Sequence, residues 1–113
     1  MTRALKETRQ VGSTTVVVPT GEVDLQRSPG LYQEMMAICR TKPPRLVVDL
    51  RQVSYMDSSG VSTLVEVFRS VNAYGGTLVL LSPTERVLGM FQIAKLDRFF
   101  TIVDSEDEAL SDG

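Results

Sequence analysis

Two short apolar runs, separated by a helical stripe, constrain the fold of this chain more than any other feature. Leu46–Leu50 and Thr77–Leu81 are almost continuously apolar, which is typical of parallel strands that are covered on both faces. Between them, apolar side chains recur at the spacing of one helix face. These residues are Val61, Leu64, Val65, Phe68 and Val71. The pattern predicts a βαβ unit with a right-handed crossover.

The segment before this unit predicts further strands and a helix. Thr14–Val18 is β-branched throughout and stops at Pro19, so it predicts a strand followed by a turn. Residues 4–10 predict a shorter strand paired with it. Ser28 precedes Pro29 and a helical apolar pattern, which predicts a helix with Ser28 as its N-cap.

The segment after the unit continues the alternation of helices and strands. Ser82 and Glu85 have the spacing of a capping box and predict a third helix. Phe99–Val103 predicts the last strand, and a second capping box of Ser105 and Glu108 predicts a short fourth helix. We therefore expect one α/β domain over residues 1–113, ordered from about 4 to 110, with 111–113 as a tail.

The composition excludes several kinds of chemistry. The 113 residues include no His and one Cys, so no Ser-His-Asp triad, Cys-His pair or His-ligated metal can come from this chain. Cys39 cannot form an internal disulfide and is interpreted as a small buried residue. No secretion signal or membrane-length apolar run occurs, so we expect a cytoplasmic protein without a membrane partner.

The charges are distributed unevenly along the chain. Five acidic residues and no basic ones lie in the last ten positions, which predicts a solubilising end that begins with a capped turn. The Arg and Lys residues are scattered over the rest of the chain and form no stripe with interleaved aromatic residues. Nucleic acid is therefore not expected as a direct partner.

Two polar segments, predicted as loops, follow strands of the sheet. Thr20–Asp24 comes after the first long strand, and Ser54–Gly60 lies between the strand at Leu46 and the helix at Val61. In open α/β sheets, ligands and partners collect beyond the carboxyl ends of the strands. We therefore expect the functional residues in these two segments.

The run Asp57-Ser58-Ser59-Gly60 has two interpretations. Helix capping explains one of its polar residues, because a cap needs a single side-chain oxygen. The excess of capping residues indicates an exposed hydroxyl at a helix N-terminus, a position that favours anions. No His activates a nucleophile, and no Ser-x-x-Lys or Gly-Lys phosphate loop occurs. The hydroxyl is therefore better placed to be modified by another protein than to act as a catalytic group.

An ordered set of motifs then points to a family. The motifs are Thr20-Gly21-Glu22-Val23-Asp24, Val47-Val48-Asp49-Leu50, Val53-Ser54-Tyr55-Met56-Asp57-Ser58-Ser59-Gly60-Val61, Gly76-Thr77-Leu78 and the predicted helix from Val87 to Leu96. In this order the chain closely resembles the anti-sigma factor antagonists, the bacterial STAS-domain proteins of the SpoIIAA type. The resemblance runs from about Val11 to Leu110 and implies a single STAS domain with a mixed, mostly parallel β-sheet and about four helices.

The resemblance also implies partners and functional residues. Family members bind an anti-sigma factor that is a serine kinase, a histidine-kinase-like ATPase, and so release the sigma factor it holds. The kinase phosphorylates the first hydroxyl after the aspartate, which corresponds to Ser58, and a serine phosphatase reverses the reaction. Residue spacing alone leaves Ser59 open as a rival acceptor. The expected partner-binding residues are Gly21, Glu22, Asp24, Asp57, Ser58, Ser59 and Gly60.

Two other functions compete with this one. A STAS domain is equally suited to be an accessory subunit that docks on the ATPase of a transporter. Asp24 and Asp57 could instead hold Mg²⁺ in a nucleotide hydrolase, because carboxylates suit that ion. We expect the first role, with no enzymatic activity and no cofactor or metal in this chain. We also expect phosphorylation to act through surface repulsion, with little refolding.

Overall fold

The structure is a computed structural model that describes residues 4–111, so most of the predicted tail lies outside the described residues. The strands are β1 (Leu5–Val11), β2 (Thr14–Pro19), β3 (Gly21–Val23), β4 (Arg45–Asp49), β5 (Val53–Met56), β6 (Thr77–Leu81) and β7 (Thr101–Val103). The helices are α1 (Ser28–Cys39), α2 (Ser58–Ala73), α3 (Glu85–Ile93) and α4 (Glu106–Leu110).

Five strands form the main sheet in the order β1-β2-β4-β6-β7. The β1 strand pairs with β2, as predicted, and runs antiparallel to it, while the other neighbours are parallel. The two continuous apolar runs are adjacent parallel strands, β4 and β6, joined through α2. The expected mixed, mostly parallel sheet is confirmed.

Both faces of this sheet are covered, which explains why its strands are apolar without alternation. The inner face packs against α1, α2 and α3, and its residues include Val17, Leu46, Val48, Leu78 and Leu80. The outer face packs against α4, and its residues are Val16, Val18, Val47, Val79 and Leu81. Successive residues therefore alternate between two buried environments.

The prediction of loops at Thr20–Asp24 and Ser54–Gly60 is partly wrong, because each segment contains residues of a strand. The β3 and β5 strands pair in parallel as a separate two-stranded sheet, with Gly21 opposite Val53 and Val23 opposite Met56. Their apolar residues are buried, while Glu22 and Ser54 are exposed. Alternation over three or four residues is too short to distinguish a strand from a polar loop.

Two predicted helix starts are also wrong. Ser28 is the first residue of α1, and the cap position is Arg27, which makes no side-chain cap bond. Ser82 lies outside α3 because its φ is +50° and its amide donates to Val103 O at 2.8 Å, which continues the sheet. The cap of α3 is Thr84, whose hydroxyl accepts from the Val87 amide at 3.3 Å.

The last predicted strand is shorter than expected. The Phe99 and Phe100 amides both donate to Leu96 O, which places these residues in a turn rather than in β7. Phe100 is buried with its ring 5.4 Å from that of Phe91, while Phe99 is exposed. The start of α4 is confirmed, because the Ser105 hydroxyl accepts from the Glu108 amide at 3.2 Å.

The acidic segment near the end has a structural role that its composition did not predict. Helix α4 buries Ala109 against the outer face. Arg45 Nε donates to Ala109 O at 2.7 Å, and Arg9 forms an ion pair with Glu106. Residues 105–110 therefore cover the sheet as well as supplying charge.

Cys39 is buried at the end of α1, as predicted, and burial raises the pKa of its thiol. Among the described residues, no helix has the length and apolarity needed to cross a membrane.

Candidate functional site

The small sheet brings the two polar segments together. Asp24 follows β3 and Asp57 follows β5, and the two strands are paired in parallel, so both residues lie at the same sheet edge. The Asp57 amide donates to Val23 O at 3.2 Å, which extends the pairing by one step. The two polar segments therefore lie next to each other at the carboxyl ends of β3 and β5.

Asp57 links the two segments through its carboxylate. Its Oδ1 accepts from the amides of Ser59 and Gly60 at 2.9 and 3.3 Å, so Asp57 is the N-cap of α2. The same oxygen accepts from the Ser59 hydroxyl at 2.5 Å, and Oδ2 accepts from the Leu25 amide at 3.1 Å. These hydrogen bonds, led by the one from Ser59, lower the pKa of Asp57 despite an opposing effect of desolvation.

Asp24 caps the turn that leads into α1. Its Oδ1 accepts from the amides of Gln26 and Arg27, both at 3.1 Å. Its main-chain oxygen accepts from the Ser28 amide at 2.9 Å. Both carboxylates therefore accept hydrogen bonds from main-chain amides. Within residues 4–111, no group of three or more His, Cys, Asp or Glu side chains is arranged to bind a metal ion.

The two adjacent serines have different environments. Ser58 is exposed on the first turn of α2, and its hydroxyl bonds to no other group in the part of the chain that the structure describes. Ser59 is half-buried, with its hydroxyl bonded to Asp57 and 2.8 Å from the Ser28 hydroxyl. Ser58 is therefore the more accessible of the two hydroxyls.

Gly60 allows α2 to begin directly on the small sheet. A Cβ at this position would lie 2.5 Å from Met56 Cγ and 2.9 Å from Val23 Cγ1. It would also lie 3.0 Å from the main-chain oxygen of Val23. This close contact fixes the start of α2, and with it Ser58, relative to β3 and β5.

Gly21 and Glu22 are positioned by Arg27. The Arg27 guanidinium donates to Thr20 O and Glu22 O at 2.9 and 2.7 Å. Gly21 has a φ of +77°, and a Cβ there would lie 2.8 Å from Arg27 Nη1. The Glu22 side chain is exposed. Sequence reasoning missed Arg27, since an isolated arginine carries no signal that it binds carbonyl groups.

Leu25 is a second residue that sequence reasoning missed. Its side chain is 76% exposed although its amide is bonded to Asp57. It borders a groove of about 370 Å³ between α1 and α2, together with Pro29, Tyr32 and Thr63. The available signal was a single leucine between Asp24 and Gln26 in an otherwise polar segment. The site therefore presents an exposed hydroxyl at Ser58 and an exposed apolar side chain at Leu25, whose amide is bonded to the residue before Ser58.

Comparison with known proteins identifies the family of the chain. The STAS domain family model matches residues 6–109. An anti-sigma-B factor antagonist of Bacillus subtilis (strain 168) is 34% identical over 76 residues, which are 67% of this chain and 69% of the relative. An anti-sigma-B factor antagonist of Listeria monocytogenes is 32% identical over 88 residues, which are 78% of this chain and 77% of the relative.

Solved structures show the same fold. The unphosphorylated form of the anti-sigma factor antagonist SpoIIAA has a TM-score of 0.78 at 25% identity and covers 95% of this chain and 93% of its own. The phosphorylated form of SpoIIAA, a Bacillus cell fate determinant, has a TM-score of 0.71 at 24% identity, with 95% and 96% covered. The chain therefore belongs to the STAS domain family, the family of the SpoIIAA-like anti-sigma factor antagonists.

Proposed function

We propose that this protein is an anti-sigma factor antagonist that is switched by phosphorylation of Ser58. The unphosphorylated form binds an anti-sigma factor that is also a serine kinase, and thereby frees a sigma factor. The exposed, unbonded hydroxyl of Ser58 beside the half-buried, bonded hydroxyl of Ser59 carries the proposal. The names of the relatives from Bacillus and Listeria support the role, and the two solved forms of SpoIIAA support the phosphorylation.

The surroundings of Ser58 suit a substrate better than a catalyst. The nearest carboxylate, that of Asp57, accepts bonds from two amides and one hydroxyl on α2. It is therefore committed to capping and does not serve as a free general base for Ser58. The kinase would supply the base, the nucleotide and the metal ion, and a separate serine phosphatase would remove the phosphate.

Charge at the start of α2 provides the switching mechanism. A phosphate on Ser58 adds about −1.5 to −2 charges beside the ionised Asp57. The helix dipole favours an anion at this end, so the fold tolerates the phosphate. A partner that fits the neutral hydroxyl would meet a concentrated negative charge, and like charges in a closed interface cost several kcal/mol.

Neutral residues next to Ser58 would supply part of the partner contact. The exposed Leu25 and the groove beside Tyr32 offer apolar surface within the same end of the molecule. Large apolar and aromatic side chains contribute most of the affinity in many interfaces. Gly21, Glu22 and Asp24 lie on the adjoining segment and would contact the partner around this apolar centre.

The competing roles are less well supported. A subunit that docks on a transporter ATPase needs no acceptor hydroxyl, so the exposed Ser58 favours the phosphorylated regulator. A nucleotide hydrolase would need Asp24 and Asp57 to bind Mg²⁺, but Asp24 accepts hydrogen bonds within the turn before α1 and Asp57 caps α2. We infer that this chain is the substrate of its partner and not an enzyme.

Binding and labelling with the cognate kinase test the proposal. We expect Ser58→Ala to bind like the wild type and Ser58→Asp to bind about 100-fold more weakly, which corresponds to about 3 kcal/mol. Labelling with ATP should persist in Ser59→Ala and disappear in Ser58→Ala. The matched control is Ser13→Asp, which adds the same charge at an exposed turn beyond the other end of β2. Equal binding by Ser58→Ala and Ser58→Asp would exclude the switch.

A further inference from the structure

We propose that Ser28 is a positioning residue for the Ser58 site. Its buried hydroxyl orients the Ser59 hydroxyl toward Asp57, and this holds Asp57 in its bridge between the two segments. The inference rests on the proposed function only in treating Ser58 as the acceptor. The hydrogen-bond network that carries it is a property of the folded chain.

The contacts of Ser28 cross from one helix start to the other. Ser28 is the first residue of α1, and 4% of its surface is exposed. Its Oγ lies 2.7 Å from the main-chain oxygen of Asp24 and 2.8 Å from Ser59 Oγ. A buried hydroxyl between two polar partners from different segments couples those segments.

The number of protons restricts how this network is arranged. Asp24 O and the Asp57 carboxylate can only accept, so the protons must come from the two serine hydroxyls. Three pairs of oxygen atoms lie within hydrogen-bond distance, namely Ser28–Asp24, Ser28–Ser59 and Ser59–Asp57. The two hydroxyl groups supply only two protons for these three contacts. Since Ser59 donates to Asp57, the Ser28 proton is the one available to the Ser28–Ser59 contact, and Asp24 O competes for the same proton.

This arrangement makes Ser28 act on Asp57 through Ser59. A hydroxyl that accepts a hydrogen bond becomes a stronger donor, because hydrogen bonds in a chain polarise one another. The bond from Ser59 is also the largest contribution that lowers the pKa of Asp57. Loss of the Ser28 hydroxyl would weaken that bond and loosen the contact from Asp57 Oδ2 to the Leu25 amide.

A double-mutant cycle measures this coupling without any partner protein. NMR would follow the pKa of the Asp57 carboxyl group and the hydrogen exchange of the Leu25 amide in the wild type, Ser28→Ala, Ser59→Ala and the double variant. We expect Ser28→Ala to raise the pKa of Asp57 toward its ordinary value and to speed exchange at Leu25. In the Ser59→Ala background, Ser28→Ala should add no further shift in the pKa.

A matched control separates this role from simple packing. Ser70→Ala removes a half-buried hydroxyl that also lies between α1 and α2, where it contacts Met36 Sδ at 3.4 Å. It should leave the pKa of Asp57 and the exchange of Leu25 unchanged. The charged residues of the adjoining segment, Glu22, Asp24 and Arg27, are the same in every variant.

Two outcomes would overturn the inference. One is an unchanged pKa of Asp57 in Ser28→Ala, and the other is an equal shift with and without the Ser59 hydroxyl. Either would reduce Ser28 to a packing residue. Because these measurements need no kinase, they are independent of the labelling experiment. Failure to label Ser58 would contradict the proposed function and leave the coupling intact.

Discussion

The start of α2 and the outer face of the main sheet both depend on polar side chains, but they are built differently. At the start of α2, the Asp57 carboxylate accepts hydrogen bonds from three amides and one hydroxyl, and Gly60 lies in direct contact with β3 and β5. On the outer face, the five residues of α4 cover an apolar surface with Ala109 as the buried residue. Arg45 and the Arg9–Glu106 pair hold the helix at its edges.

This difference indicates which part of the molecule can move. Displacing the start of α2 would break the cap, the link to Leu25 and the contact with the small sheet together. Displacing α4 would break a few bonds at the surface and expose one apolar face. We therefore expect the Ser58 site to be rigid and the outer cover to open more readily. Three substitutions test this comparison.

Gly60→Ala should have the largest effect. The added methyl group has no room against Met56 and Val23, and overpacking of this kind costs about 3 kcal/mol of the free energy of unfolding. Urea denaturation measures the loss, and partner binding should fall with it. The matched control is Gly89→Ala in α3, where the new Cβ meets nothing within 4 Å, so it should stabilise the protein by up to about 1 kcal/mol.

Ala109→Asp should cost about 2 kcal/mol, because it places an unpaired carboxylate against the outer face. The loss is limited because α4 can detach while the rest of the sheet stays folded. Hydrogen exchange should therefore increase in β7 and α4 and remain slow in α2, and binding of the proposed kinase partner should persist. Asp107→Ala, at an exposed position of the same helix, is the control. Faster exchange at Leu25 in Ala109→Asp would contradict the comparison.

Glu106→Gln should have the smallest effect, below about 1 kcal/mol, because the Arg9–Glu106 pair is partly exposed. Thermal denaturation at low and high salt measures it. The difference from the wild type should shrink as salt rises, since screening weakens the pair in the wild type. A loss that persists in high salt would show that α4 is held more firmly than the geometry indicates.

The main sheet could be predicted because its signals are local. The strand β2 has a run of β-branched residues, β4 and β6 are almost continuously apolar, and the apolar stripe on α2 spans about three turns. The β3 and β5 strands were missed because each is short and bears polar residues. The start of α3 was misplaced because serine is a common N-cap residue, whereas the φ of +50° at Ser82 is typical of a turn.

The two polar segments of the candidate site could be picked out from the sequence, but the contacts between them could not. Their polar residues, which follow strands, marked both segments as places for functional residues. Neither the contact between Ser28 and Ser59 nor the bond from Leu25 to Asp57 follows from spacing, because each joins residues about 30 positions apart. Which serine is exposed depends on those contacts, so residue types alone could not separate Ser58 from Ser59.

The burial of Cys39 has a practical consequence for measuring motion in this molecule. It is the single cysteine of the sequence, and its thiol is shielded at the end of α1 with a raised pKa. Alkylating reagents attack the thiolate, so burial and the raised pKa both slow the modification of Cys39. The rate of alkylation therefore reports how accessible this end of α1 is to solvent. A thiol reagent added to the wild-type protein would follow that accessibility, and the Ser58 site can be studied without interference from a second reactive thiol.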